Sequence, residues 1–301
     1  MQTNCLGGNM ELLGYSLVVI SAFTHAYWNF LLKRAGGSQI FIGLSKLSEV
    51  ILFAPVFAFV VWQEGGEFWG YWILFMVGGL LATVYYVSLG LAYRTGNLSV
   101  AYPVSRAGGL LFLPGLAFFL IGEQVDGWGW IAIGLIILGI FSLQLPSFSK
   151  KDVQTALSDF RNPSAFFALL SGLTIAGYSL WDKNALNYLA PFTYFYAYNT
   201  VVGMLYCIFV WARYPRRDIR REWIVNKKPI VQVGFLNTFT YTLVLFSLSI
   251  SKASYVVALR QLSIAVGAIL GWKLLGELFP LSKWAGIGLL LVGCALVYLA
   301  K

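Results

Sequence analysis

The sequence is poor in charged residues, which make up only 11% of its 301 positions. A soluble globular domain carries about 25% charged residues. Hydrophobic residues account for 59% of the chain and recur in runs that approach the roughly 20 residues needed to cross a bilayer. The scarcity of charge therefore argues against a soluble protein and predicts an all-α polytopic membrane protein whose main partner is the lipid bilayer.

Cysteine and histidine are also scarce. Cys5, Cys207 and Cys294 are too scattered for a metal motif or a disulfide framework, and there is one histidine. A glycine-rich phosphate loop, an HExxH motif and a GxSxG motif are all missing. We therefore expect no enzyme activity, no cofactor and no metal. The net charge of +9 lies mostly between the apolar runs, where it indicates topology rather than nucleic-acid binding.

The apolar runs predict ten transmembrane helices. Their approximate ranges are 11–32, 39–62, 68–92, 98–121, 127–146, 164–185, 191–212, 229–250, 254–275 and 281–300. No short apolar segment with a cleavage site opens the sequence, so we expect no removable signal peptide. Residues 1–10 are either a leader or added residues.

The second half of the chain repeats the first at a fixed shift of 154 positions. The matched pairs are Arg106 with Arg260, Gly122-Glu123 with Gly276-Glu277, Trp130 with Trp284, and Gly139 with Gly293. This duplication predicts a first repeat over 11–146, a polar linker over 147–163 and a second repeat over 164–300. Because each repeat holds five spans, the two must have opposite orientations, as in the inverted repeats of many carriers.

The first predicted span carries a polar stripe. Ser21, His25, Asn29 and Lys33 follow at steps of four, which places them on one helix face. At a shift of 150, Ser171 and Lys183 match the first and last of these residues. We expect the stripe to face the bundle interior, because polar groups in hydrocarbon need partners. His25 is interpreted either as a proton switch or as a hydrogen-bonded structural residue.

The second predicted span contains Lys46 and Glu49, which are neighbours on a helix. Two interpretations stay open. The residues form a local ion pair, or Glu49 takes up a coupling proton or binds a cationic group of a substrate. Glu49 and His25 are therefore the candidates for proton coupling.

The fourth and ninth predicted spans each hold an arginine, Arg106 and Arg260, at equivalent positions. An arginine at the centre of a membrane helix costs about 2.5–3.5 kcal/mol on insertion scales. Either both arginines bind an anionic substrate in a wet cavity, or both tie a helix end or a glutamate across the halves. We expect Pro103 and Pro114 to interrupt the fourth span, whereas the ninth lacks these prolines.

Several motifs together resemble the EamA branch of the drug/metabolite transporter superfamily over about residues 12–300. They are Pro103, Gly122-Glu123, Gly276-Glu277 and the segment from Trp28-Asn29 to Lys33. The resemblance implies ten helices around a central cavity, with the fifth and tenth packed at the periphery. It also implies transport, often export, of amino acids, related metabolites or drugs.

The distribution of lysine and arginine predicts the orientation. Fifteen of them lie on the side opposite the N-terminus, and three, Lys183, Lys252 and Lys301, lie on the N-terminal side. By the positive-inside rule, both termini lie outside the cytoplasm in an inner cell membrane. Members of the family commonly have the opposite orientation.

Taken together, the sequence predicts a secondary carrier for a small polar, amino-acid-like metabolite with an anionic group. The predicted substrate-binding residues are Arg106, Arg260, His25, Asn29, Trp28, Tyr86, Tyr102, Tyr178, Asn237, Tyr241 and Ser263. Two alternatives are a carrier or flippase for a lipid-linked or amphipathic headgroup and a membrane scaffold without transport. Both a monomer and a homodimer are compatible with the sequence.

Overall fold

The computed structural model describes residues 2–63, 67–95, 98–158 and 162–300, without the side chains of residues 2–9, 86, 90, 93–95 and 98–102. Within these ranges every regular element is helical. The helices are α1 (Gln2–Arg34), α2 (Gln39–Gln63), α3 (Trp72–Thr95), α4 (Leu98–Ile121), α5 (Gly127–Gln144), α6 (Lys150–Ser158), α7 (Pro163–Ala185), α8 (Pro191–Arg213), α9 (Arg216–Ile250), α10 (Ala253–Arg260), α11 (Leu262–Leu275) and α12 (Leu281–Val297). A short 3₁₀ helix, Glu67–Tyr71, precedes α3.

Eight helical segments in the described ranges are long and apolar enough to cross a membrane. They are Gln39–Gln63, Glu67–Leu89, Pro103–Ile121, Gly127–Gln144, Pro163–Ala185, Pro191–Arg213, Arg216–Ile250 and Ala253–Leu275. The apolar helix α12 is shorter, with 17 residues. The protein is therefore an all-α polytopic membrane protein, as the sequence predicted.

The region 213–228, which lies between the predicted spans 191–212 and 229–250, is mostly helical. Helix α9 begins at Arg216 and continues to Ile250, with a kink at Asn226, where φ is −117° and ψ is 18°. Pro229 explains the kink, because its ring lacks an N–H and clashes with the carbonyl four residues earlier. The linker 147–163 likewise contains a short helix, α6, which the sequence analysis did not predict.

The prediction that prolines interrupt the fourth span was wrong. Helix α4 is continuous with Pro103 and Pro114 inside it, and the break falls in the ninth span, between α10 and α11. The side chain of Gln261 explains the break. Its Nε2 atom donates to the carbonyl of Val257 at 3.0 Å, while its backbone N–H turns to the carbonyl of Ala258. The side chain thus takes the acceptor that the next helical hydrogen bond would use.

Close helix contacts hold the bundle together where glycines face each other. A Cβ atom on Gly172 of α7 would lie 2.8 Å from the Cα atom of Gly108 in α4. Gly139 of α5 and Gly286 of α12 make a similar contact, in which a Cβ on either would lie 2.8 Å from the other's carbonyl oxygen. Small residues of this kind let membrane helices approach closely. These contacts fix the helices around the cavity described next.

Candidate functional site

A cavity of about 330 Å³ lies among the helices of the two halves. Its volume is in the range of small-molecule sites. Helices α1, α2, α3, α4, α7, α8, α9 and α10 all contribute to its wall. The lining residues are His25, Trp28, Asn29, Leu32, Ile42, Lys46, Gly78, Ala82, Tyr85, Leu89, Arg106, Tyr178, Asp182, Phe195, Tyr198, Asn199, Val202, Asn237, Thr240, Tyr241 and Arg260.

Both arginines singled out by the duplication line this one cavity. Arg106 lies in α4, and Arg260 is the last residue of α10, beside the helix break. Each is half-buried. The guanidinium carbon of Arg260 lies 5.2 Å from the centre of the Tyr241 ring, a cation–π geometry that holds the guanidinium over the aromatic face. Two arginines from opposite halves of the chain therefore line one cavity.

Most of the predicted binding residues come together in the cavity wall, whereas Ser263 does not. His25, Trp28, Asn29, Tyr178, Asn237 and Tyr241 join the two arginines there. Ser263 is not among the lining residues; its hydroxyl donates to the carbonyl of Arg260 at 2.8 Å. The side chains of Tyr86 and Tyr102 lie outside the described residues.

The polar stripe of α1 forms one side of the cavity. The rings of His25 and Trp28 meet edge to face with centroids 4.9 Å apart, and Asn29 Nδ2 donates to the carbonyl of His25 at 2.7 Å. The indole Nε1 of Trp28 and the Nδ2 of Asn199 are buried and find no acceptor among the described residues. A buried donor without an acceptor is costly, so each favours a bound acceptor in the cavity.

Glu49 lies behind the cavity wall and is fully buried. Its carboxylate pairs with Lys46 at 3.1 Å and accepts hydrogen bonds from Asn237 at 2.9 Å and Thr238 at 2.7 Å. Lys46 Nζ also donates to Asn199 Oδ1 at 2.7 Å. The ion pair expected from the spacing is present, and this network connects α2 to α8 and α9. Coupling of protons by Glu49 or His25 stays a prediction.

A carboxylate that the sequence analysis did not select, Asp182, also lines the cavity. Asp182 lies in α7 and is 2% exposed. Its two oxygens accept hydrogen bonds from Tyr194 and Tyr241, each at 2.7 Å. The sequence signal was an acid inside a long apolar span, which marks function in membrane proteins. It was missed because Asp182 has no acidic counterpart in the first repeat, where Leu32 stands at the equivalent position.

The duplicated Gly-Glu pairs lie at opposite ends of the cavity-forming helices. Gly122 and Gly276 both have left-handed backbones, with φ of 67° and 68°, so a glycine ends α4 and α11 in the same way. Glu123 then accepts hydrogen bonds from the backbone N–H groups of Ala253 and Ser254, at 2.8 and 2.9 Å, and caps the start of α10.

Glu123 is held as an anion. Burial raises the pKa of its carboxyl group, but the hydrogen bonds from Ser254 and Ala253 and the charge of Lys183 outweigh burial, and the net pKa is lowered. Lys183 donates to Glu123 at 3.2 Å and to the carbonyl of Ser251 at 2.7 Å. At the other end, Lys33 forms an ion pair with Glu277.

The second half of the chain matches a known protein family. Residues 162–299 match the model of the EamA-like transporter family. Over these residues, the match confirms the resemblance predicted from the sequence. A solved crystal structure, described only as that of a protein, superposes with a TM-score of 0.70 over 97% of this chain and 98% of the other. At 16% identity, that likeness shows a shared fold alone.

Two curated relatives match shorter stretches. The quaternary ammonium compound-resistance protein QacE of Escherichia coli is 34% identical over 59 residues, which are 20% of this chain and 54% of that protein. A Salmonella typhimurium protein named for ethidium bromide resistance is 31% identical over 62 residues, with 21% and 54% covered. The chain spans about half the length of the curated relatives it matches.

Proposed function

We propose that the protein is a secondary transporter of a small polar metabolite with an anionic group, because residues 162–299 match the model of the EamA-like transporter family. An amino-acid-like compound fits the size and polarity of the cavity. The substrate would lie between the two halves of the chain, in contact with both arginines.

The observation that carries this proposal is the pair Arg106 and Arg260 in the wall of one cavity. The charged side chains among the described lining residues are these two arginines, Lys46 and Asp182. Lys46 is paired with Glu49, so the cavity is left with an excess of positive charge. A planar guanidinium binds carboxylates through two parallel hydrogen bonds. The unpaired donors of Trp28 and Asn199 would supply further hydrogen bonds to an anionic group.

We further propose that transport uses alternating access between two inverted five-helix repeats with ten spans in total. The helix contacts support this arrangement, because they occur in matched pairs. In one matched pair, α4 packs against α7, and its counterparts α10 and α11 pack against α1, the counterpart of α7. In the other, α3 packs against α7, and its counterpart α9 packs against α1. Helices α5 and α12, the last of each repeat, pack against each other.

The two Lys–Glu pairs support the same mechanism. Each pair joins one half of the chain to the other, at opposite ends of the bundle. The Lys183–Glu123 pair is mostly buried and adds two backbone hydrogen bonds to α10. The Lys33–Glu277 pair has side-chain exposures of 64% and 33%. This difference in burial between the two ion pairs is expected of a carrier that is closed at the Glu123 end and looser at the Glu277 end.

The proposed orientation places the looser end in the cytoplasm. The side with fifteen basic residues holds Lys33, Arg34, Arg94, Lys150, Lys151, Arg161, Arg213, Arg216, Arg217, Arg220, Arg221, Lys227, Lys228, Lys273 and Lys283. By the positive-inside rule that side is cytoplasmic, and both termini of the chain are outside. In an inner cell membrane, the basic start of α9 would also lie near anionic lipid headgroups.

A cationic aromatic compound is the second candidate substrate. Asp182 is surrounded in the cavity by Tyr178, Tyr198 and Tyr241, and tyrosine faces attract organic cations. The names of the curated relatives, which refer to a quaternary ammonium compound and to ethidium, point the same way. The arginines count against a cation, since both face the same space.

A ligand screen on the purified protein separates the two candidates. Ligands that bind the folded state raise the melting temperature by mass action. The first candidate expects stabilisation by amino acids and small organic acids, and loss of that stabilisation when Arg106 and Arg260 are both replaced with glutamine. The second expects stabilisation by ethidium or tetraethylammonium, with loss in Asp182→Asn. Stabilisation by cations alone would overturn the anionic proposal.

A further inference from the structure

Asp182 is the carboxylate that lines the cavity among the residues that the structure describes. Glu49 lies behind the wall, and its charge is already matched by Lys46. Asp182 has no such match. Among the described residues, its hydrogen-bond partners are two neutral phenol groups, and no lysine or arginine nitrogen lies within ion-pair distance of it. Asp182 is also one of the residues that line the cavity.

A chain of contacts connects Asp182 to the anion-binding arginine. Tyr241 donates its hydroxyl hydrogen to Asp182 Oδ2 at 2.7 Å, and the face of the same tyrosine ring holds the guanidinium of Arg260 at 5.2 Å. A protonated carboxyl group becomes a donor at one oxygen, and that oxygen is then a weaker acceptor than it is in the carboxylate. Protonation of Asp182 therefore weakens its hydrogen bond with Tyr241 or with Tyr194, and a change at Tyr241 is passed to Arg260.

The surroundings of Asp182 come from every helix packed against α7. The titratable and charged groups that face it or share its cavity are Tyr194 and Tyr198 of α8, Tyr241 of α9, Arg260 of α10, Arg106 of α4, Tyr85 of α3, Tyr178 of α7, His25 of α1 and Lys46 of α2. The next residue of α7, Lys183, turns away to Glu123. The cations in this set are the two arginines and Lys46, and Lys46 is paired with Glu49. The charge of Asp182 therefore opposes that of the arginines.

From this geometry we propose that Asp182 is the proton-binding site of the cavity, and that its proton and an anionic substrate bind cooperatively. The proposal rests on the proposed function above, because it takes the arginines as the anion site. An ionised Asp182 offsets part of the positive charge that attracts the anion, and a protonated Asp182 does not. The proton therefore raises the affinity for the anion, and by linkage the anion raises the affinity for the proton to the same extent. The two would cross the membrane together, as in proton–anion symport.

The first test uses the proton alone as the probe. Infrared difference spectra of the purified protein are recorded through a pH titration, over the range in which the protein stays folded. The wild type should show a carboxylic C=O band that is missing in Asp182→Asn. Tyr241→Phe, which keeps the carboxylate, should shift the midpoint of that band. Tyr196→Phe is the matched control, because its hydroxyl bonds to the carbonyl of Val50 instead, and its midpoint should not move.

The second test uses methanesulfonate, a small anion that stays ionised throughout the titration. In the wild type, thermal stabilisation by methanesulfonate should be larger at mildly acidic than at mildly alkaline pH, with an affinity difference of about tenfold. In Asp182→Asn, which mimics the protonated state, the affinity for methanesulfonate should be high at both pH values.

The outcomes of the two tests are separate. A band that is unchanged in Asp182→Asn would overturn the proton site, whatever the transported substrate. Stabilisation by methanesulfonate that does not depend on pH in the wild type would overturn the cooperativity while leaving the proposed function intact. The absence of any stabilisation by methanesulfonate would count against both the cooperativity and the anionic cargo, while the infrared result on Asp182 would stand by itself.

Discussion

Lys183 Nζ lies 3.2 Å from Glu123 Oε2, and this contact joins the end of α7 in the second half to the segment after α4 in the first half. Lys33 and Glu277 form the same pair in reverse, with the lysine from the first half and the glutamate from the second. The equivalence of these four residues follows from the shifts of 150 and 154 in the sequence. The pairs differ in burial, so their contributions to stability should differ as well.

The Glu123 pair predicts how stability depends on pH. The pKa of Glu123 is lowered in the folded protein, so its contribution is fully present above the ordinary value of 4.5 and is lost as the pH falls through the lower folded value. We expect Glu123→Gln to lower the free energy of unfolding by about 3 kcal/mol near neutral pH, with a smaller loss in acid. Melting temperatures measured across this range check the prediction.

Glu277→Gln is the matched control for that measurement. Its ion pair is largely exposed, and exposed pairs contribute about 0–1 kcal/mol. Equal losses of stability in the two variants would show that the buried cap at Ala253 and Ser254 contributes nothing beyond a surface ion pair.

Substitution of the arginines should change ligand affinity more than stability. Arg106→Lys and Arg260→Lys keep the charge but lose the planar fork, so the affinity for an anionic ligand found in the screen should fall. Arg→Ala at either position should cost about 1.5–3 kcal/mol, or roughly ten- to a hundred-fold in affinity. Isothermal titration and melting curves on the same samples check this. Unchanged affinity in a destabilised Arg→Ala variant would assign the arginines a structural role.

The network around Glu49 is expected to be structural. Glu49→Gln leaves Lys46 near the cavity without its charge partner, and breaking a buried ion pair typically costs about 3–5 kcal/mol. Replacing both residues with methionine and leucine should restore much of that stability. If Glu49→Gln instead keeps its melting temperature and flattens the pH dependence of uptake, Glu49 is a coupling residue after all.

The contact between α4 and α7 predicts opposite effects at two glycines of the same helix. A Cβ on Gly172 would meet the backbone of Gly108 at 2.8 Å, so Gly172→Ala must push the helices apart and should destabilise the protein by about 1–3 kcal/mol. Gly177 has nothing within 4 Å of a new Cβ. There, alanine should stabilise the helix by roughly 0.5–1 kcal/mol. Melting temperatures of the two variants, compared with the wild type, separate close packing from helix propensity.

The orientation can be tested by a reporter fused after Lys301. An alkaline phosphatase that is active only outside the cytoplasm should be active in this fusion, because fifteen basic residues lie on the opposite side. A fluorescent protein that folds only in the cytoplasm should stay dark there. The reverse pair of results would place both termini in the cytoplasm, and the looser Glu277 end outside.

The sequence could predict the membrane class, the approximate spans and the equivalence of Arg106 and Arg260, because each depends on a local run or on a fixed shift. It also predicted that the polar stripe of α1 would face inward, since such groups are too costly in lipid. The position of the helix break between α10 and α11 could not be predicted from the sequence. Prolines are strong local signals, but Gln261 breaks its helix through a side-chain hydrogen bond that leaves no comparable pattern in the sequence.

By itself, then, the sequence determined which residues are too polar to face lipid, because that cost depends on residue type and on the length of the apolar run around it. Only the tertiary structure decided which of these residues face a cavity and which pair with each other. Glu49 and Asp182 are both acids inside apolar spans, yet one is buried against Lys46 and the other lines the cavity beside Tyr241. The difference arises from contacts between helices that are far apart in the chain, and no local pattern encodes those contacts.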